Sequence, residues 1–328
     1  MSRKIKRYSK DIAVVGAGYW GVNVIRNLYE LGVLHTVCDK DSRALKRIAS
    51  LYKGIEYTTK FSDLLISKEI GSIAISTPAA THFSLTKKAL LSGKDVFVEK
   101  PLSLTTKQGQ ELVGLAKRKK RILMVGHILC YHPAVIKLRE MIKKGELGKV
   151  QYIYSNRLNI GKLRTEENIL WSFAPHDISA INMLVGSSPF KVSAFGGDYL
   201  NKGIHDTTLT TLEFKNGVKG HIFVSWLHPY KEQKIIIVGS KAMAVFDDMS
   251  KEKLFVYPHR IVWTDKFTPI AKKAKFRVIA VKDGEPLKRE LEHFIKCILT
   301  RKKPETDGSE GLEVLRILER AQRYLHIS

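Results

Sequence analysis

The chain has 328 residues, enough for two domains that each bury a core, and it carries a formal net charge of +24 at pH 7. Its lysines and arginines are spread along the whole chain without a nucleic-acid-binding signature, which favours attraction of an anionic substrate over binding of nucleic acid. No apolar run is long enough to span a membrane, no secretory leader follows the basic N-terminus, and the three cysteines lack metal-site spacing, so we expect a cytoplasmic protein without a metal.

The first elements along the chain predict a dinucleotide-binding unit. A continuous apolar run, Ile12–Val15, indicates a buried strand, and it leads through a glycine-rich turn into an amphipathic helix that ends at Gly32. The turn has the G-x-G-x-x-G pattern and consists of Gly16, Ala17, Gly18, Tyr19, Trp20 and Gly21. In this context the first glycine permits a tight turn, the second lets the backbone approach a pyrophosphate, and the third lets the helix pack on the strand.

Asp39 bears on which dinucleotide binds. It ends the second apolar strand, Leu34–Cys38. A carboxylate at this point accepts hydrogen bonds from the adenine ribose hydroxyls and repels a 2′-phosphate, so the sequence favours NAD over NADP. Lys40 and Arg43 lie nearby and can instead bind a 2′-phosphate, which leaves NADP as the alternative.

Polar residues follow two later strands of the same alternating pattern. The strand 72–76 ends in Ser76-Thr77-Pro78, which we expect to touch the nicotinamide ribose. His82, in the first turn of the next helix, either reaches the cofactor's diphosphate or lies on the helix surface. The buried strand Asp95–Val98 leads into Glu99-Lys100-Pro101, which places a lysine at the carboxyl edge of the sheet, where open α/β sheets bind ligands. Such a lysine can stabilise charge that develops on a substrate oxygen.

The alternation of strands and helices predicts an α/β fold with a doubly wound parallel sheet over residues 1–125. Residues 126–328 are expected to form an α+β domain with an open, mainly antiparallel sheet, because β-rich runs follow one another with hairpin signals such as Asn216-Gly217. Two helices, 286–300 and 308–326, close the chain, and the last is a candidate to pack back on the first domain.

The second domain contains a polar segment and a helix with a histidine near its start. Residues 157–168 are predicted to be an irregular loop whose cations, Arg157, Lys162 and Arg164, either grip a phosphate or carboxylate or are solvated surface charge. The helix that follows opens with the sequence Leu170-Trp171-Ser172-Phe173-Ala174-Pro175-His176-Asp177.

The order of these motifs resembles the Gfo/Idh/MocA oxidoreductase family. The resemblance covers nearly the whole chain and rests on the glycine turn, Ser76-Thr77-Pro78, Glu99-Lys100-Pro101, Ala174-Pro175-His176-Asp177 and Pro304–Gly308. It implies a Rossmann domain that binds a nicotinamide dinucleotide and a second domain with an open antiparallel sheet. It further implies homodimers or homotetramers formed through the outer face of that sheet, and substrates that are mostly sugars, inositols and sugar nucleotides.

By the same resemblance, Lys100 is expected to bind the reacting hydroxyl and help its proton leave, and His176 to act as acid and base. Glu99 is expected to contact the nicotinamide end of the cofactor or to orient Lys100. The glycine turn and the polar loop look most like members that act on nucleotide sugars, such as UDP-N-acetylglucosamine or its uronate. The candidate substrate ligands are then Lys100, Arg157, Asn159, Arg164, Ser172, His176 and Asp177.

One position departs from the family pattern. Many members carry an aspartate four residues before the histidine, where this chain has Ser172. Asp177 either orients the imidazole of His176 or interacts with the dipole at the start of the helix. The second role is favoured, because neighbouring residues on a helix point about 100° apart.

The sequence thus predicts an NAD-dependent dehydrogenase that oxidises a secondary hydroxyl of a sugar, with a nucleotide sugar as the substrate. Two alternatives stay open. One is a nucleotide- or sugar-binding sensor that has kept the fold and lost the chemistry, which Ser172 favours. The other is a glycoside-modifying enzyme that oxidises its substrate only transiently, so that no net reduction of the cofactor occurs.

Overall fold

The computed structural model describes residues 10–161, 163–165 and 167–325, and it divides the chain into two compact units. The first unit comprises the described residues up to Ile128 together with Glu285–Leu315. The second comprises Leu129–Gly284 and the described residues from Arg316 onward. Most of the basic N-terminal arm, Lys162 of the polar segment and the predicted end of the last helix at His326 lie outside the described residues.

The first unit is built on a six-stranded parallel sheet with the strand order β3-β2-β1-β4-β5-β6. This order and the helices between the strands confirm the predicted doubly wound fold. In chain order the elements are β1 (Ile12–Val15), α1 (Gly21–Glu30), β2 (Leu34–Cys38), α2 (Ser42–Leu51), β3 (Glu56–Thr58), α3 (Phe61–Ile66), β4 (Ser72–Ile75), α4 (Ala79–Leu91), β5 (Asp95–Glu99), α5 (Thr106–Lys119) and β6 (Leu123–Gly126).

Continuous apolar runs form the centre of this sheet because both of its faces are covered. All residues of β1 and β4 are buried, as expected for parallel strands with helices on either side. Polar side chains fix where two of the helices begin. The carboxylate of Asp41 accepts a hydrogen bond from the backbone N–H of Arg43, and the hydroxyl of Thr105 accepts one from that of Gln108.

The chain returns to the first unit near its end, so the predicted second domain 126–328 is not one compact unit. The residues concerned are 285–315, which include α8 (Pro286–Thr300) and the first part of α9 (Gly308–Leu325). Their contacts explain the return: Phe294 packs against Phe97 of β5 with ring centroids 5.8 Å apart, and Arg301 donates two hydrogen bonds to Asp95.

The second unit contains an eight-stranded sheet with the order β16-β13-β12-β11-β7-β10-β9-β8. All neighbouring pairs are antiparallel except β7 with β10, which confirms the predicted, mainly antiparallel sheet. Its elements are α6 (Pro133–Lys143), β7 (Val150–Leu158), α7 (Ile169–Val185), β8 (Lys191–Gly197), β9 (Thr207–Glu213), β10 (Lys219–Ser225), β11 (Glu232–Gly239), β12 (Met243–Asp247), β13 (Leu254–Tyr257) and β16 (Arg277–Val278).

The two faces of this sheet differ in burial. Residues on one face, such as Ile153 and Ile222, are fully buried where α7 packs against the sheet. The alternate positions Tyr152, Tyr154 and Phe223 are half-buried on the other face. A separate exposed hairpin joins β14 (Arg260–Trp263) to β15 (Pro269–Lys272). Among the described residues, no helix has both the length and the apolar character needed to cross a membrane.

Candidate active site

The glycine turn of the first unit is shaped by two positions that leave no room for a side chain. Gly16 has φ +100°, and a Cβ placed on it would lie 2.3 Å from the carbonyl oxygen of Ser76. A Cβ on Gly21 would lie 2.0 Å from the carbonyl oxygen of Gly16. The turn therefore brings the end of β1, the start of α1 and the end of β4 into direct backbone contact, which only glycine permits.

Gly18 differs from these two positions, because a Cβ placed on it would meet nothing within 4 Å. Its backbone faces open space, and the neighbouring Tyr19 is 93% exposed. The first-turn amides of α1 follow directly. An exposed backbone beside the positive end of a helix is suited to a pyrophosphate, so these residues fit the diphosphate of a nicotinamide dinucleotide.

Asp39 is tied to the turn by its own side chain. One carboxylate oxygen accepts a hydrogen bond of 2.6 Å from the backbone N–H of Ala17, and the other accepts one of 2.8 Å from that of Asp41. Each oxygen keeps a further lone pair for a ribose hydroxyl. Arg47, which the sequence analysis did not single out, lies beside the turn with Nη2 3.4 Å from the carbonyl oxygen of Ala17. The dinucleotide-binding motif ends at Asp39 and therefore does not single out Arg47. The structure identifies Arg47 because α2 brings this residue back to the turn.

His82 has a different position from either one predicted. It is 1% exposed, so the expectation of a helix-surface histidine is wrong. Its two ring nitrogens lie 2.7 Å from the carbonyl oxygen of Pro101 and 2.8 Å from that of Thr77. The ring thus links the end of β4 to the turn after β5, and both nitrogens contact backbone rather than facing a diphosphate. Burial follows from its place on the inner face of α4.

Glu99 connects the second predicted motif to the glycine turn. Trp20 donates a hydrogen bond of 2.6 Å from Nε1 to its carboxylate. Glu99 pairs with Gly126 across β5 and β6, and a Cβ on that glycine would lie 2.9 Å from Oε2, so the carboxyl occupies the space that Gly126 leaves. Burial raises the pKa of Glu99 to about 7, against the opposing effects of the Trp20 hydrogen bond and the Lys100 charge. Lys100 directly follows β5 and is half-buried.

A buried carboxyl that the sequence analysis missed lies near Glu99. Glu290 of α8 is completely buried, and neither of its carboxyl oxygens receives a hydrogen bond from the described residues. Burial raises its pKa well above the ordinary value, and the negative charges of Glu99 and Glu310 raise it further. Glu310 in turn lies 2.7 Å from Nδ1 of His127. Burial without a hydrogen-bond donor disfavours the charged form of a carboxyl, and sequence periodicity alone does not reveal such a position.

In the second unit, His176 and Ser172 lie four residues apart on α7, so they share one face of the helix. His176 is half-buried and Ser172 is buried. The helix begins at Ile169, one residue before the predicted start, where the side chain of Asn168 accepts a hydrogen bond from the backbone N–H of Trp171. Asp177 therefore lies more than two turns inside the helix, and the predicted interaction with the helix N-terminus is wrong.

Asp177 instead pairs with Arg157. Arg157 lies within β7 rather than in a loop, and it donates hydrogen bonds of 2.6 and 3.3 Å from Nε and Nη2 to the Asp177 carboxylate. The side chains are 12% and 1% exposed, respectively. Ser155 also donates to Asp177. This buried ion pair joins the sheet to α7, so it gives both residues a structural role in place of the predicted ones.

The other predicted ligands of the polar segment have local contacts. Asn159 donates its backbone N–H to the carbonyl oxygen of Ser225 and is half-buried, which leaves its side chain available for a ligand contact. Arg164 forms an ion pair of 3.0 Å with Glu167 and is 44% exposed. Their roles toward a substrate stay predictions, as do those of Lys100 and His176, which belong to different units.

Comparison with known proteins places the chain in a family. Residues 10–127 match GFO_IDH_MocA, described as an oxidoreductase family with an NAD-binding Rossmann fold. Residues 135–245 match the GFO/IDH/MocA C-terminal domain, and the two matches together span more than half of the chain. The chain belongs to the Gfo/Idh/MocA oxidoreductase family. The motif-based resemblance is therefore confirmed, and the glycine turn and Asp39 lie in an NAD(P)-binding Rossmann domain.

Individual relatives of this Gfo/Idh/MocA chain are distant. UDP-N-acetylglucosamine 3-dehydrogenase of Acidithiobacillus ferrooxidans is 25% identical over 304 residues, which cover 92% of this chain and 93% of that protein. The scyllo-inositol 2-dehydrogenase (NAD(+)) of Bacillus subtilis is 25% identical over 269 residues, 77% of this chain and 75% of that protein. A solved structure of the UDP-N-acetylglucosamine 3-dehydrogenase GnnA from A. ferrooxidans covers 97% of both chains with a TM-score of 0.84 and 21% identity, a likeness of fold.

Proposed function

We propose that this protein is an NAD-dependent dehydrogenase that oxidises a secondary hydroxyl of a sugar carried on a nucleotide. The observation that carries the proposal is the first unit's carboxyl edge, where the open backbone at Gly18, the Asp39 carboxylate and Lys100 follow β1, β2 and β5 of one sheet. A dinucleotide site and a positioned cation on the same sheet edge are what such an oxidation requires.

The bound nicotinamide supplies the hydride acceptor. The protein's own residues supply the rest of the chemistry: the Lys100 ammonium stabilises the negative charge that develops on the substrate oxygen. The imidazole of His176 takes the hydroxyl proton, since imidazole is the side chain best suited to exchange protons close to neutral pH. Ser172, one helical turn before His176, replaces the carboxylate of many family members and leaves His176 as the proton acceptor on that face.

The nucleotide-sugar assignment is supported by charge and by a relative. The net charge of +24 attracts a substrate that carries a diphosphate. The named relative that matches 92% of this chain acts, by its name, on UDP-N-acetylglucosamine. Within the second unit, Asn159, Arg164, Ser172 and His176 are the candidate substrate ligands left once Arg157 and Asp177 have paired with each other.

NAD is the proposed cofactor because Asp39 presents a carboxylate where the 2′-hydroxyl of the adenine ribose binds in Rossmann domains. Arg47 lies beside the same turn and offers the cation that a 2′-phosphate would need. The carboxylate favours NAD, because it would repel a 2′-phosphate directly.

We also propose that subunits pair through the half-buried face of the eight-stranded sheet. This face carries a cluster of aromatic side chains, in which the rings of Tyr154 and His221 stack 4.9 Å apart and the Tyr152 hydroxyl lies 2.7 Å from Nδ1 of His221. A flat, partly apolar sheet face is suited to an isologous contact. Light scattering of the purified chain tests this: a monomer at micromolar concentration would contradict the pairing.

The function is tested by incubating the purified chain with NAD and a panel of nucleotide sugars and free sugars, while following absorbance of reduced nicotinamide. We expect Lys100→Ala and His176→Ala to lose turnover while NAD binding, measured by calorimetry, stays near that of the wild type. Lys251→Ala and His259→Ala change the same residue types outside the site and serve as matched controls.

Two results would contradict the proposal. Binding of cofactor and sugar with no reduction and no change in the sugar across the panel would indicate a sensor. Consumption of the sugar without net reduction of the cofactor would indicate transient oxidation, in which the hydride is returned to the substrate. Near-normal turnover in either alanine variant would remove that residue from the mechanism.

A further inference from the structure

The two densest basic runs of the sequence, 117–121 and 301–303, meet at one cavity of the first unit. The cavity has a volume of about 770 Å³. The cations that line it are Lys117, Lys120 and Arg121 at the end of α5, and Arg301 and Lys303 after α8. More than 170 residues of sequence separate the two runs, so the fold itself brings this positive charge together.

Two of the five cations are engaged within the protein. Arg301 donates hydrogen bonds to both oxygens of Asp95 and to the carbonyl oxygen of Lys120. Lys303 lies 3.2 Å from the carboxylate of Asp307, which is the one acidic residue that lines the cavity. These two cations hold the wall of the cavity together and contribute less charge to its interior.

The other three cations have no such partner. Among the described residues, no ion pair joins Lys117, Lys120 or Arg121 to an acidic group. The positive charge of Arg121 also acts on Lys94, where burial first and that charge second lower the pKa of the ammonium. Cations placed together repel one another, and an anion bound between them relieves that repulsion.

The backbone conformation of two lining residues also singles out this cavity. Lys120 and Arg301 have φ values of 54° and 53°, and they are the two non-glycine residues with positive φ in the described part of the chain. Each caps the end of a helix, α5 and α8 respectively, where glycine is the usual and unstrained residue. The chain thus carries a cation at both positions in spite of backbone strain, and both cations line the cavity.

Apart from Gly308 and Ser309, apolar residues form the rest of the lining. They are Val113, Ala116, Ile122, Leu123 and Pro304. A volume of about 770 Å³ falls in the range of small-molecule sites, which combine an apolar floor with a few placed charges. The lining therefore suits an anion of nucleotide size that also has an apolar portion, rather than a small inorganic ion alone.

The cavity is separate from the dinucleotide turn. Arg121 and Ile122 precede β6, so they lie at the amino edge of the parallel sheet, whereas Gly16–Gly21 follow β1 at its carboxyl edge. The length of a four-residue strand, about 13 Å at 3.3 Å per residue, separates the two edges. A ligand in this cavity would not compete with the adenine or nicotinamide for the same atoms.

We propose that this cavity binds a phosphate-bearing small molecule of nucleotide size, with its phosphates on Lys117, Lys120 and Arg121 and its apolar portion on the floor. The site is independent of the proposed dehydrogenase activity. A charged metabolite bound there would act on α5 and α8 at the sheet edge opposite the dinucleotide turn. The ligand is recognised by charge and size rather than by a base-specific contact, because the lining offers no aromatic side chain.

Calorimetry with the full chain saturated with NAD tests the proposal. The probes are inorganic triphosphate and ATP at physiological salt, and the saturating NAD prevents their binding at the dinucleotide turn. We expect saturable binding of one ATP, tighter than triphosphate. The double substitution Lys117→Gln and Arg121→Gln is expected to weaken ATP binding at least tenfold, because charge-assisted hydrogen bonds are lost. The matched control is Lys143→Gln with Lys144→Gln, two lysines at the end of α6 in the other unit.

A thermal melt of each variant checks that it is folded. A further variant, the single substitution Lys303→Gln, is expected to lose an intermediate amount of ATP affinity if the cavity is the site. Equal weakening by the control pair would show charge screening only and overturn the proposal. So would saturable binding that Lys117 and Arg121 do not affect, or binding of a single-stranded oligonucleotide without binding of ATP or triphosphate. None of these readouts needs turnover, so their failure is distinguishable from failure of the proposed dehydrogenase.

Discussion

The glycine turn gives the most direct prediction about stability, through the substitution Gly16→Ala. The new Cβ would meet the carbonyl oxygen of Ser76 at 2.3 Å, and the residue would be held at φ +100°. Positive φ costs a residue with a side chain about 1–2 kcal/mol, and overpacking in a closely packed region costs about 1–3 kcal/mol. The expected loss in free energy of unfolding is therefore about 2–5 kcal/mol.

Two other glycines separate these contributions. Gly54 has φ +69°, and a Cβ placed on it would meet nothing within 4 Å, so Gly54→Ala carries the backbone cost alone, about 1–2 kcal/mol. Gly21→Ala places a Cβ 2.0 Å from the carbonyl oxygen of Gly16, so the loss in its free energy of unfolding measures the steric clash. Urea unfolding with linear extrapolation measures all three variants. A Gly16→Ala loss within 1 kcal/mol of the Gly54→Ala loss would refute the reasoning, because the contact with β4 would then contribute nothing.

Three further predictions concern the site. Asp39→Ser removes the carboxylate beside Arg47 and is expected to shift preference toward NADP at least tenfold, measured as the ratio of dissociation constants; an unchanged ratio would contradict the role of Asp39. For Glu99, burial raises the pKa from the ordinary 4.5 to about 7, so its contribution to stability is full below pH 4.5 and is lost as pH rises through 7. Glu99→Gln removes that loss. Urea unfolding should therefore show that the free energy of unfolding of the variant rises relative to that of the wild type, by up to about 3 kcal/mol between pH 4.5 and 8. A parallel pH dependence of the two proteins would argue against this. Arg157→Ala leaves the Asp177 carboxylate buried without its cation and is expected to lower the free energy of unfolding by about 3 kcal/mol, whereas unchanged stability with a raised KM would restore its role as a substrate ligand.

Local sequence patterns were sufficient for the first unit's sheet and its glycine turn. The conformation of the turn can be predicted because the glycines, the apolar strands and the terminal Asp39 are close together in sequence. Each of them is required by the backbone geometry of a dinucleotide-binding turn. The same holds for Glu99-Lys100-Pro101, since the apolar run before it fixes the end of β5.

The contacts that the sequence did not reveal join residues that are distant along the chain. The polar, irregular segment 157–168 predicts a loop at Arg157, yet this residue lies on β7 and pairs with Asp177 of α7. A buried ion pair of this kind leaves no periodic signal. The buried position of His82 cannot be predicted from the sequence for a similar reason. Its two carbonyl partners, Thr77 and Pro101, become neighbours only when β4 and β5 pair.

The return of α8 to the first unit is the largest difference from the sequence prediction, which named only the last helix as a candidate to pack back on the first domain. The change of composition at Gly126 marks one crossing between the units, but α8 is amphipathic and carries no mark of which sheet it covers. Its partners, Phe97 and Asp95, lie nearly 200 residues earlier. The same return places Glu290 near Glu99 and joins the two basic runs at the cavity.

Transfer of deuterium tests the proposed dehydrogenation most directly. A nucleotide sugar labelled with deuterium on the carbon that bears the reacting hydroxyl is incubated with the chain and NAD, and mass spectrometry follows the label. The account predicts that the deuterium appears in the reduced dinucleotide in an amount equal to the sugar oxidised. Label that stays in the sugar, or that is lost to water while the dinucleotide remains unlabelled, would contradict it.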